Sequence, residues 1–213
     1  MQTRRNSSSK IGRRPTTTRE RIAAVGLDLF AARGFDDTSV DDIAEAAGIA
    51  RRTFFRYFPS KNAVPWGDFD AHLSEMRLML SDLPDDIPLL DGLVSALLAF
   101  NTFPPEVATG HRERMRLIFV VPSLQAYSVV MYEGWRNVVA EYVARRLGVE
   151  PTDQLPRTVG YLLLGVALAA YETWLTDNST DLIDLLTKGS RLLYTSLSDL
   201  NEPLLNGDAH HDS

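Results

Sequence analysis

Two arginines stand four residues apart in the run RRTFFRY, which extends from Arg51 to Tyr57. A guanidinium group can donate two parallel hydrogen bonds to O6 and N7 of guanine. If the run is a helix that advances about 100° per residue, Arg52 and Arg56 lie opposite Phe54. Thr53 and Phe55 flank them on the outer face. The spacing predicts a base contact by at least one arginine; the alternatives are plain phosphate contact or a solvated face.

The segment from Ser39 to Lys61 must hold that helix, and its pattern is two short helices around a tight turn. In a helix-turn-helix, one helix braces a second that lies in the DNA major groove, so the inward positions must be apolar. Gly48 lies where the chain must turn through a conformation that side chains resist. Ser39 is expected to cap the first of the two helices, with Asp41 and Asp42 at its positive end. The inward positions are Val40, Ile43, Ala47, Ile49, Phe54 and Tyr57.

Two residues of the second of these helices are unusual. Ala50 occupies the N-cap position, and its side chain offers no acceptor to the first amide groups. Phe55 places a phenyl ring on the outward face, where a large aromatic group is costly unless something covers it. A thymine methyl group or the sugar backbone is a suitable partner for that ring. We therefore expect this helix to be completed by DNA.

Charge separates the N-terminal part of the chain from the rest. Residues 1–61 contain 12 Lys and Arg against 7 Asp and Glu, whereas residues 62–213 contain 10 against 21. Because phosphate binding depends on local positive charge, only the first 61 residues are expected to meet DNA. Arg13 and Arg14 lie in a basic arm, residues 1–17, that is predicted to be disordered without DNA. They are expected to add counterion release or minor-groove contacts.

Helical periodicity continues along the whole chain, without strand alternation. Thr17 and Glu20 match a capping box for the first helix, which is expected to end near Arg33. The fourth helix is expected from Pro65 to Leu80, after one loose turn capped by Ser60. Proline and glycine then delimit the later helices, predicted at Pro88–Asn101, Glu106–Val120, Ser123–Leu147, Asp153–Leu175 and Thr180–Leu200.

These elements predict an all-α fold with two parts. The first is a three-helix helix-turn-helix DNA-binding head, residues 18–61. The second is a ligand-binding and dimerisation body of about six helices, residues 62–204, followed by a frayed tail at 205–213. The last two helices are apolar over more than one stripe, which favours a four-helix interface between two subunits through helices 8 and 9. The alternative is an ordinary core within one chain.

Composition and motifs argue against several other classes of protein. The chain contains no cysteine, so it has neither disulfides nor thiolate metal ligands, and no cofactor or metal site is expected. None of the common hydrolase, nucleotide-binding or metalloprotease motifs is present, so no catalytic residues are assigned. The longest apolar run has 13 residues, and no secretory signal is recognisable. We expect a cytoplasmic protein that does not enter the membrane.

Aromatic side chains are spread over helices 4 to 8, and some are expected to line a ligand pocket. The run HRERMR, from His111 to Arg116, is the one basic island in the acidic body. It is either a solvated face or a receptor for a phosphate or carboxylate. The predicted pocket residues are Trp66, Phe69, Phe100, Phe103, Arg112, Arg116, Phe119, Tyr132, Trp135 and Tyr171.

The N-terminal segment resembles the TetR family of bacterial repressors. The resemblance is carried by LFAARGFDDTSV and by DDIAEAAGIARRTFFRYFPSK. The continuation RRTFFRYFPSKNAVPWGDFD further resembles the regulators found with mycofactocin biosynthesis genes in actinobacteria. The resemblance implies an all-helical homodimer that binds a palindromic double-stranded DNA operator and releases it when a small molecule enters the body. The mycofactocin group suggests an acyl-CoA as that effector.

Positions that the resemblance assigns to DNA fall into two groups. Thr38 and Lys61 would contact phosphate, and the residues on or near the groove would be Arg51, Arg52, Thr53, Phe55 and Arg56. Two other functions remain open at this point. One is an all-helical enzyme or carrier that the basic head tethers to nucleic acid, which a buried pair of acids, or an acid with His, would favour. The other is an activator or structural DNA-binding protein without an effector.

Overall fold

A computed structural model of the chain describes residues 18–103 and 105–197, with the backbone alone for 105–109 and 195–197. Within these ranges it contains nine α-helices, one 3-10 helix and no strand. The all-α prediction is confirmed. The α-helices are α1 Arg19–Arg33, α2 Val40–Ala46, α3 Arg51–Tyr57, α4 Phe69–Ser81, α5 Leu89–Phe100, α6 Pro105–Val120, α7 Pro122–Leu147, α8 Gln154–Thr176 and α9 Leu182–Leu197, and the 3-10 helix is Lys61–Trp66.

The head is built from α1, α2 and α3 around a compact aromatic and aliphatic core. Ser39 caps α2 as predicted, because its hydroxyl accepts a hydrogen bond from the amide of Asp42 (3.1 Å) and the Asp42 carboxylate accepts one from the Ser39 amide (2.8 Å). Gly48 has a φ of 68° between α2 and α3, as the turn requires. The cap of α1 is Thr18, one residue later than predicted. The largest core side chains are Ile22, Phe30, Ile43, Phe54 and Phe58.

The prediction of one helix from Pro65 to Leu80 is wrong. The chain forms the 3-10 helix Lys61–Trp66, breaks at Gly67, where φ is 59°, and begins α4 at Phe69. Pro65 is tolerated inside the 3-10 helix, and the Ser60 side chain makes no capping hydrogen bond. Helical periodicity cannot reveal this break, because a 3-10 turn keeps apolar side chains at similar spacing.

The body, α4 to α9, has one continuous hydrophobic core that includes Trp135, Val139, Leu163 and Leu186. Helices α5 to α9 begin within two residues of their predicted starts. By length and composition alone, Gln154–Thr176 is a candidate membrane span, with a mean hydropathy of 1.3 over an 18-residue window. In the fold it packs against α6, α7 and α9, which is the position of a core helix in a globular protein.

The head and the body share a hydrophobic core at the corner between α6 and α7. These two helices meet at an angle of 103°. Leu124, in the first turn of α7, is fully buried among the side chains of the head core, and Val121 and Tyr127 pack beside it. The 3-10 helix forms the second contact, because Ala63 and Val64 also belong to the head core. The orientation of the head is therefore fixed by both the corner and the 3-10 helix.

We predict that Gly26→Ala destabilises the protein. A Cβ atom at Gly26 would lie 2.6 Å from Cγ1 of Val64 in the 3-10 helix and 3.6 Å from Cδ1 of Ile43. Val64 is fully buried and has no room to withdraw, so α1 and the 3-10 helix must separate, at a cost of about 1–3 kcal/mol.

The unfolding free energy, measured in urea, checks this result. Gly110→Ala in α6 is the matched control, because nothing lies within 4 Å of its added Cβ. That variant should gain about 0.5–1 kcal/mol from helix propensity alone. Equal stability changes in the two variants would contradict the close approach of α1 to the 3-10 helix.

Candidate nucleic-acid interface and ligand cavity

Helix α3 presents one continuous outer face. Arg51, Arg52, Phe55 and Arg56 are exposed, Thr53 is half-buried, and Phe54 is completely buried beneath them. Phe55 leaves 44% of its surface exposed, and Ala50 makes no side-chain capping bond to α3. The helix therefore carries the predicted basic face with an aromatic ring at its centre.

The arginines of this face are not equivalent. Arg51 donates from Nη1 to the Asp41 carboxylate at 2.6 Å, and its guanidinium carbon lies 5.4 Å from the centre of the Phe55 ring. The Arg56 guanidinium carbon lies 5.2 Å from the Tyr57 ring. Within the described part of the chain, Arg52 has neither an ion pair nor a hydrogen bond from its side chain. Arg56 likewise forms no ion pair or side-chain hydrogen bond among the described residues, so the donors of both Arg52 and Arg56 are available to a base.

Thr38 lies in a different environment from the expected phosphate contact. Its side chain is completely buried, and its hydroxyl donates to the carbonyl of Gly34 at 2.8 Å. A buried hydroxyl that already donates cannot reach a phosphate from this position. In this conformation Thr38 closes the loop between α1 and α2, and its contact with phosphate stays a prediction.

Lys61 also differs from the expectation. Its Nζ donates to three backbone carbonyls, those of Phe35 (2.8 Å), Asp36 (3.3 Å) and Thr38 (3.0 Å). An ammonium group has three hydrogens, so all of its donors are used within the protein. The Phe35 ring lies beneath the same group, with its centre 4.4 Å from Nζ. In this conformation Lys61 ties the 3-10 helix to the loop between α1 and α2 instead of presenting its charge to phosphate.

Residues 1–17, with Arg13 and Arg14, lie outside the described residues, as do residues 205–213 and the end of the predicted ninth helix. The expectations for these segments remain predictions.

A largely apolar cavity lies inside the body, between the 3-10 helix, α4, α6, α7 and α8. Its empty volume, including the space at its mouth, is about 750 Å³. Seven of the ten predicted pocket residues line it, namely Trp66, Phe69, Phe100, Phe103, Tyr132, Trp135 and Tyr171. The remaining wall consists of Pro65, His72, Asn101, His111, Arg114, Met115, Ile118, Leu164, Ala167 and Leu168.

Three predicted pocket residues do not line the cavity. The Arg112 guanidinium lies over the Trp174 ring, 4.2 Å from its centre, and donates to the side chain of Asn178. Arg116 forms an exposed ion pair with Glu113 at 2.9 Å. Phe119 is half-buried, and its ring centre lies 6.0 Å from that of Tyr171. Arg112 and Arg116 are directed away from the cavity, whereas Phe119 packs against the body core beside Tyr171 without lining the cavity.

The inner face of α6 carries the polar residues that the prediction omitted. His111, Arg114, Met115 and Ile118 follow the spacing of one helical face, and all four line the cavity. The basic run HRERMR therefore divides, with one arginine turned inward and two outward. The signal was present in the sequence, because Met115 and Ile118 mark which side of α6 is buried.

A chain of buried hydrogen bonds crosses the cavity wall. The Tyr171 hydroxyl donates to Oδ1 of Asn101 at 2.7 Å, and Nδ2 of Asn101 donates to the carbonyl of Leu97 at 2.8 Å. Since the single proton of that hydroxyl is used, Nε2 of His111, at 2.8 Å, must be the donor to the tyrosine oxygen. His111 is therefore neutral with its proton on Nε2, which leaves Nδ1 as an unprotonated acceptor.

Three buried polar atoms in the wall have no hydrogen-bond partner within the described residues: Nδ1 of His111, Nε of Arg114 and Nε1 of Trp66. Burial, with smaller contributions from the charges of Arg114 and His72, lowers the pKa of His111 to about 3. Burial raises the pKa of Tyr132 to about 12. The rings of His111 and Tyr132 are therefore uncharged near neutral pH, whereas Arg114 in the same wall is a cation.

The wall contains no Asp or Glu among the described residues, and no group of three or more His, Cys, Asp and Glu is placed to hold a metal ion there. The carboxylate pair, or carboxylate with His, that would favour an enzyme is therefore missing from this cavity. Aromatic rings and a few polar atoms are instead the composition of a small-molecule binding site.

Sequence comparisons identify relatives over both parts of the chain. Residues 22–64 match the family described as "Bacterial regulatory proteins, tetR family", and residues 87–198 match the "MftR C-terminal domain". The chain is 53% identical over 194 residues to the proposed mycofactocin biosynthesis transcriptional regulator MftR of Mycobacterium tuberculosis, covering 91% of this chain and 98% of that protein. It is 30% identical over 172 residues to the regulator TcmR of Streptomyces glaucescens, covering 78% and 76%.

Solved structures share the fold. Thermus thermophilus FadR, a TetR family transcriptional repressor in complex with lauroyl-CoA, is similar with a TM-score of 0.54 and 24% identity, over 92% of this chain and all of that one. The regulator FadR of Bacillus subtilis, in complex with stearoyl-CoA, has a TM-score of 0.59 and 16% identity, over 83% and 97%. At these identities the likeness concerns the fold alone.

We predict that Lys61→Met lowers the unfolding free energy by about 1.5–3 kcal/mol, because three carbonyls lose a charged donor. Urea unfolding checks this value. Arg56→Met is the control, since its exposed guanidinium donates to no carbonyl in the described residues, and a change within about 0.5 kcal/mol is expected there. If Lys61→Met instead unfolds like the wild type and reduces the salt dependence of DNA binding, Lys61 is a phosphate ligand.

The depressed pKa of His111 predicts an acid-dependent loss of stability. The unfolded state takes up a proton near the ordinary pKa of 6.5, whereas the folded state resists protonation down to about 3. The stabilisation is complete above pH 6.5 and declines as the pH falls towards 3. Comparison of the wild type with His111→Gln by urea unfolding at pH 7 and pH 4.5 should reveal an extra loss of about 2 kcal/mol in the wild type. Parallel pH profiles would contradict a buried neutral His111.

Proposed function

The chain belongs to the TetR family of transcriptional regulators, and from that premise we propose that it is a homodimeric repressor whose operator binding is relieved by an amphipathic effector. It is a DNA-binding regulator and not an enzyme, as its relatives are. The proposal concerns the dimer, the palindromic operator and the effector. The observation that carries it is an exposed basic face on α3 in the same molecule as an aromatic cavity, with one short helix that joins the two.

DNA binding by the head is supported by the face of α3. Two copies of α3 would enter successive major grooves of a palindrome, with Arg52 and Arg56 at the base edges. Phe55 would pack on a thymine methyl group or on sugar, and Arg51 would hold its ring in place from the Asp41 side. The acidic body would be kept away from the duplex by its own charge.

Dimerisation is proposed through α8 and α9, with a second copy of the chain as the occupant. Tyr161, Leu162 and Gly165 share an exposed face of α8, and no atom lies within 4 Å of a Cβ built on Gly165. Open space beside a helical glycine allows another helix to approach closely. Leu192 and Tyr194 are exposed on α9, which packs against α8. A two-fold axis through this surface would match a palindromic operator.

Coupling between ligand and DNA is proposed to run through the 3-10 helix. Pro65 and Trp66 line the cavity, while Lys61, at the other end of the same six-residue element, holds the loop before α2. A ligand that displaces the Trp66 end therefore moves the support of the head. The ligand favours the subunit geometry that accommodates it, in which the two α3 helices no longer match the groove spacing.

A long-chain acyl-CoA is the proposed effector. An aromatic and aliphatic cavity suits an acyl chain, and its open mouth leaves space for a polar group outside. Two proteins of the same fold, from Thermus thermophilus and Bacillus subtilis, have been solved with lauroyl-CoA and stearoyl-CoA. Because the operator is chromosomal DNA, we place the protein in the cytoplasm.

Binding of a palindromic fragment from the promoter region of its own gene tests the proposal. We expect affinity to fall steeply with salt, and Arg52→Ala or Arg56→Ala to weaken binding by about 5- to 150-fold, as the loss of a base contact does. The measurement is fluorescence anisotropy with the full-length protein. Arg116→Ala, which removes the same charge from the body, is the control.

Lauroyl-CoA added to the same complex should release the fragment. Normal binding by both α3 variants, or binding that ignores salt, would remove the DNA-reading role of α3. Retention of the operator at saturating lauroyl-CoA, with no thermal stabilisation by acyl-CoAs of other lengths, would remove the acyl-CoA effector.

A further inference from the structure

Arg114 stands apart from the other arginines of α6. Arg112 and Arg116 each have a polar partner, Asn178 and Glu113 respectively, and both are turned outward. Arg114 lines the cavity, and its Nε is buried without a hydrogen-bond partner. No ion pair to Arg114 is formed within the described residues.

Arg114 is half-buried, and withdrawal of an unpaired cation from water is unfavourable, because the charge must be compensated by an opposite charge or by hydrogen bonds. Burial is also the main cause that lowers the pKa of Arg114. An arginine nevertheless stays protonated in proteins, so the cost is not avoided by neutralisation. The unpaired position of Arg114 in the free protein is explained if a ligand supplies the missing negative charge.

The surroundings of Arg114 offer no internal solution. The described wall has no carboxylate, and His111, one turn earlier on α6, is neutral. The Tyr171 hydroxyl already donates to Asn101 and accepts from His111. Apart from His72, the remaining side chains of the wall are aromatic and aliphatic, which lower the local dielectric and strengthen any ion pair formed there.

We propose that Arg114 is the anion receptor of the cavity, and that the effector places a carboxylate or phosphate oxygen against its guanidinium group while its apolar chain lies along the aromatic wall. The inference rests on the proposed function in one respect, that the effector occupies this cavity. It specifies the effector more closely, because a neutral amphiphile of the same length lacks the recognised group. The basic run HRERMR thus contributes one receptor residue, and that residue is the inward one.

Two sources of the anion fit this chemistry. A free fatty acid ends in a carboxylate, and an acyl-CoA carries phosphates beyond its thioester. Three ligands with the same chain, dodecanoate, lauroyl-CoA and 1-dodecanol, separate these sources from the contribution of the chain alone. Binding of each to the full-length protein is measured by isothermal titration calorimetry, with the thermal shift of the protein as a second readout.

For the wild type we expect 1-dodecanol to bind at least tenfold more weakly than the better of the two anionic ligands. In Arg114→Met, which keeps an apolar stem, that anionic ligand should lose on the order of ten- to a hundredfold in affinity, the worth of a charged hydrogen bond, while 1-dodecanol is unchanged. The ligand-free variant should melt at a temperature equal to or above that of the wild type, because an unpaired buried charge is removed. Arg112→Met is the matched control, one that keeps wild-type affinity for all three ligands.

The outcomes separate this inference from the proposed function. Equal affinity of the wild type for the anionic ligands and 1-dodecanol overturns the receptor, and this comparison needs no variant to fold. Unchanged binding of the anionic ligands to Arg114→Met overturns it as well, even if lauroyl-CoA still releases the operator.

A lower melting temperature of ligand-free Arg114→Met, with ligand affinities unchanged, assigns Arg114 a structural role. Release of DNA by none of the three ligands removes the effector part of the proposed function, whereas anion-dependent binding without release leaves the receptor in place.

Discussion

The ammonium group of Lys61 is the interaction on which the arrangement of head and body depends. Its three hydrogen bonds end on carbonyls that are 23 to 26 residues earlier in the chain. They fix the start of the 3-10 helix against the loop that precedes α2, and Trp66 at the other end enters the cavity wall. The described contacts between the cavity-bearing body and the head are made by this element and by the corner between α6 and α7. Because the element is only six residues long, it has little internal freedom to absorb a displacement.

The cavity wall contains both hydrogen-bonded polar groups and polar groups without a partner among the described residues. The hydrogen bonds from His111 through Tyr171 to Asn101 hold uncharged groups together, whereas Arg114 is charged and its Nε, like Nδ1 of His111, has no partner among the described residues. A hydrogen-bonded chain restrains the side chains of the wall, and an unsatisfied polar group can be satisfied by a ligand. The two features lie on one helix face of α6, so that selectivity and shape are set by the same element. Leu117, which lies on α6 next to Ile118 in sequence, packs against the core of the head.

Sequence alone predicted the helical fold and the outer face of α3, because both follow from local periodicity and capping. Ser39, Gly48 and Ala50 have the roles expected of them, since each role depends on residues within one turn. The hydrogen bonds of Lys61 and Thr38 were not predicted, because their side chains are held by groups that only the folded chain brings close. Arg112 and Arg116 were preferred over Arg114 for a similar reason. The three arginines are spaced two residues apart, and the apolar positions Met115 and Ile118, which the prediction did not use, indicate which arginine faces inward.

The burial of Leu124 in the head core limits the exchange of domains between such regulators. A boundary at residue 61 looks natural in the sequence, yet it cuts through a shared core, because Leu124 belongs to the body and is buried in the head with none of its surface exposed. The head is therefore not a portable module. A chimera of this head with the body of another protein would have a cavity at the position of Leu124 and its neighbours. Inclusion of the corner between α6 and α7 with the head would avoid that cavity. Exchange of DNA specificity between relatives is thus easier by substitution on the surface of α3 than by recombination of whole domains.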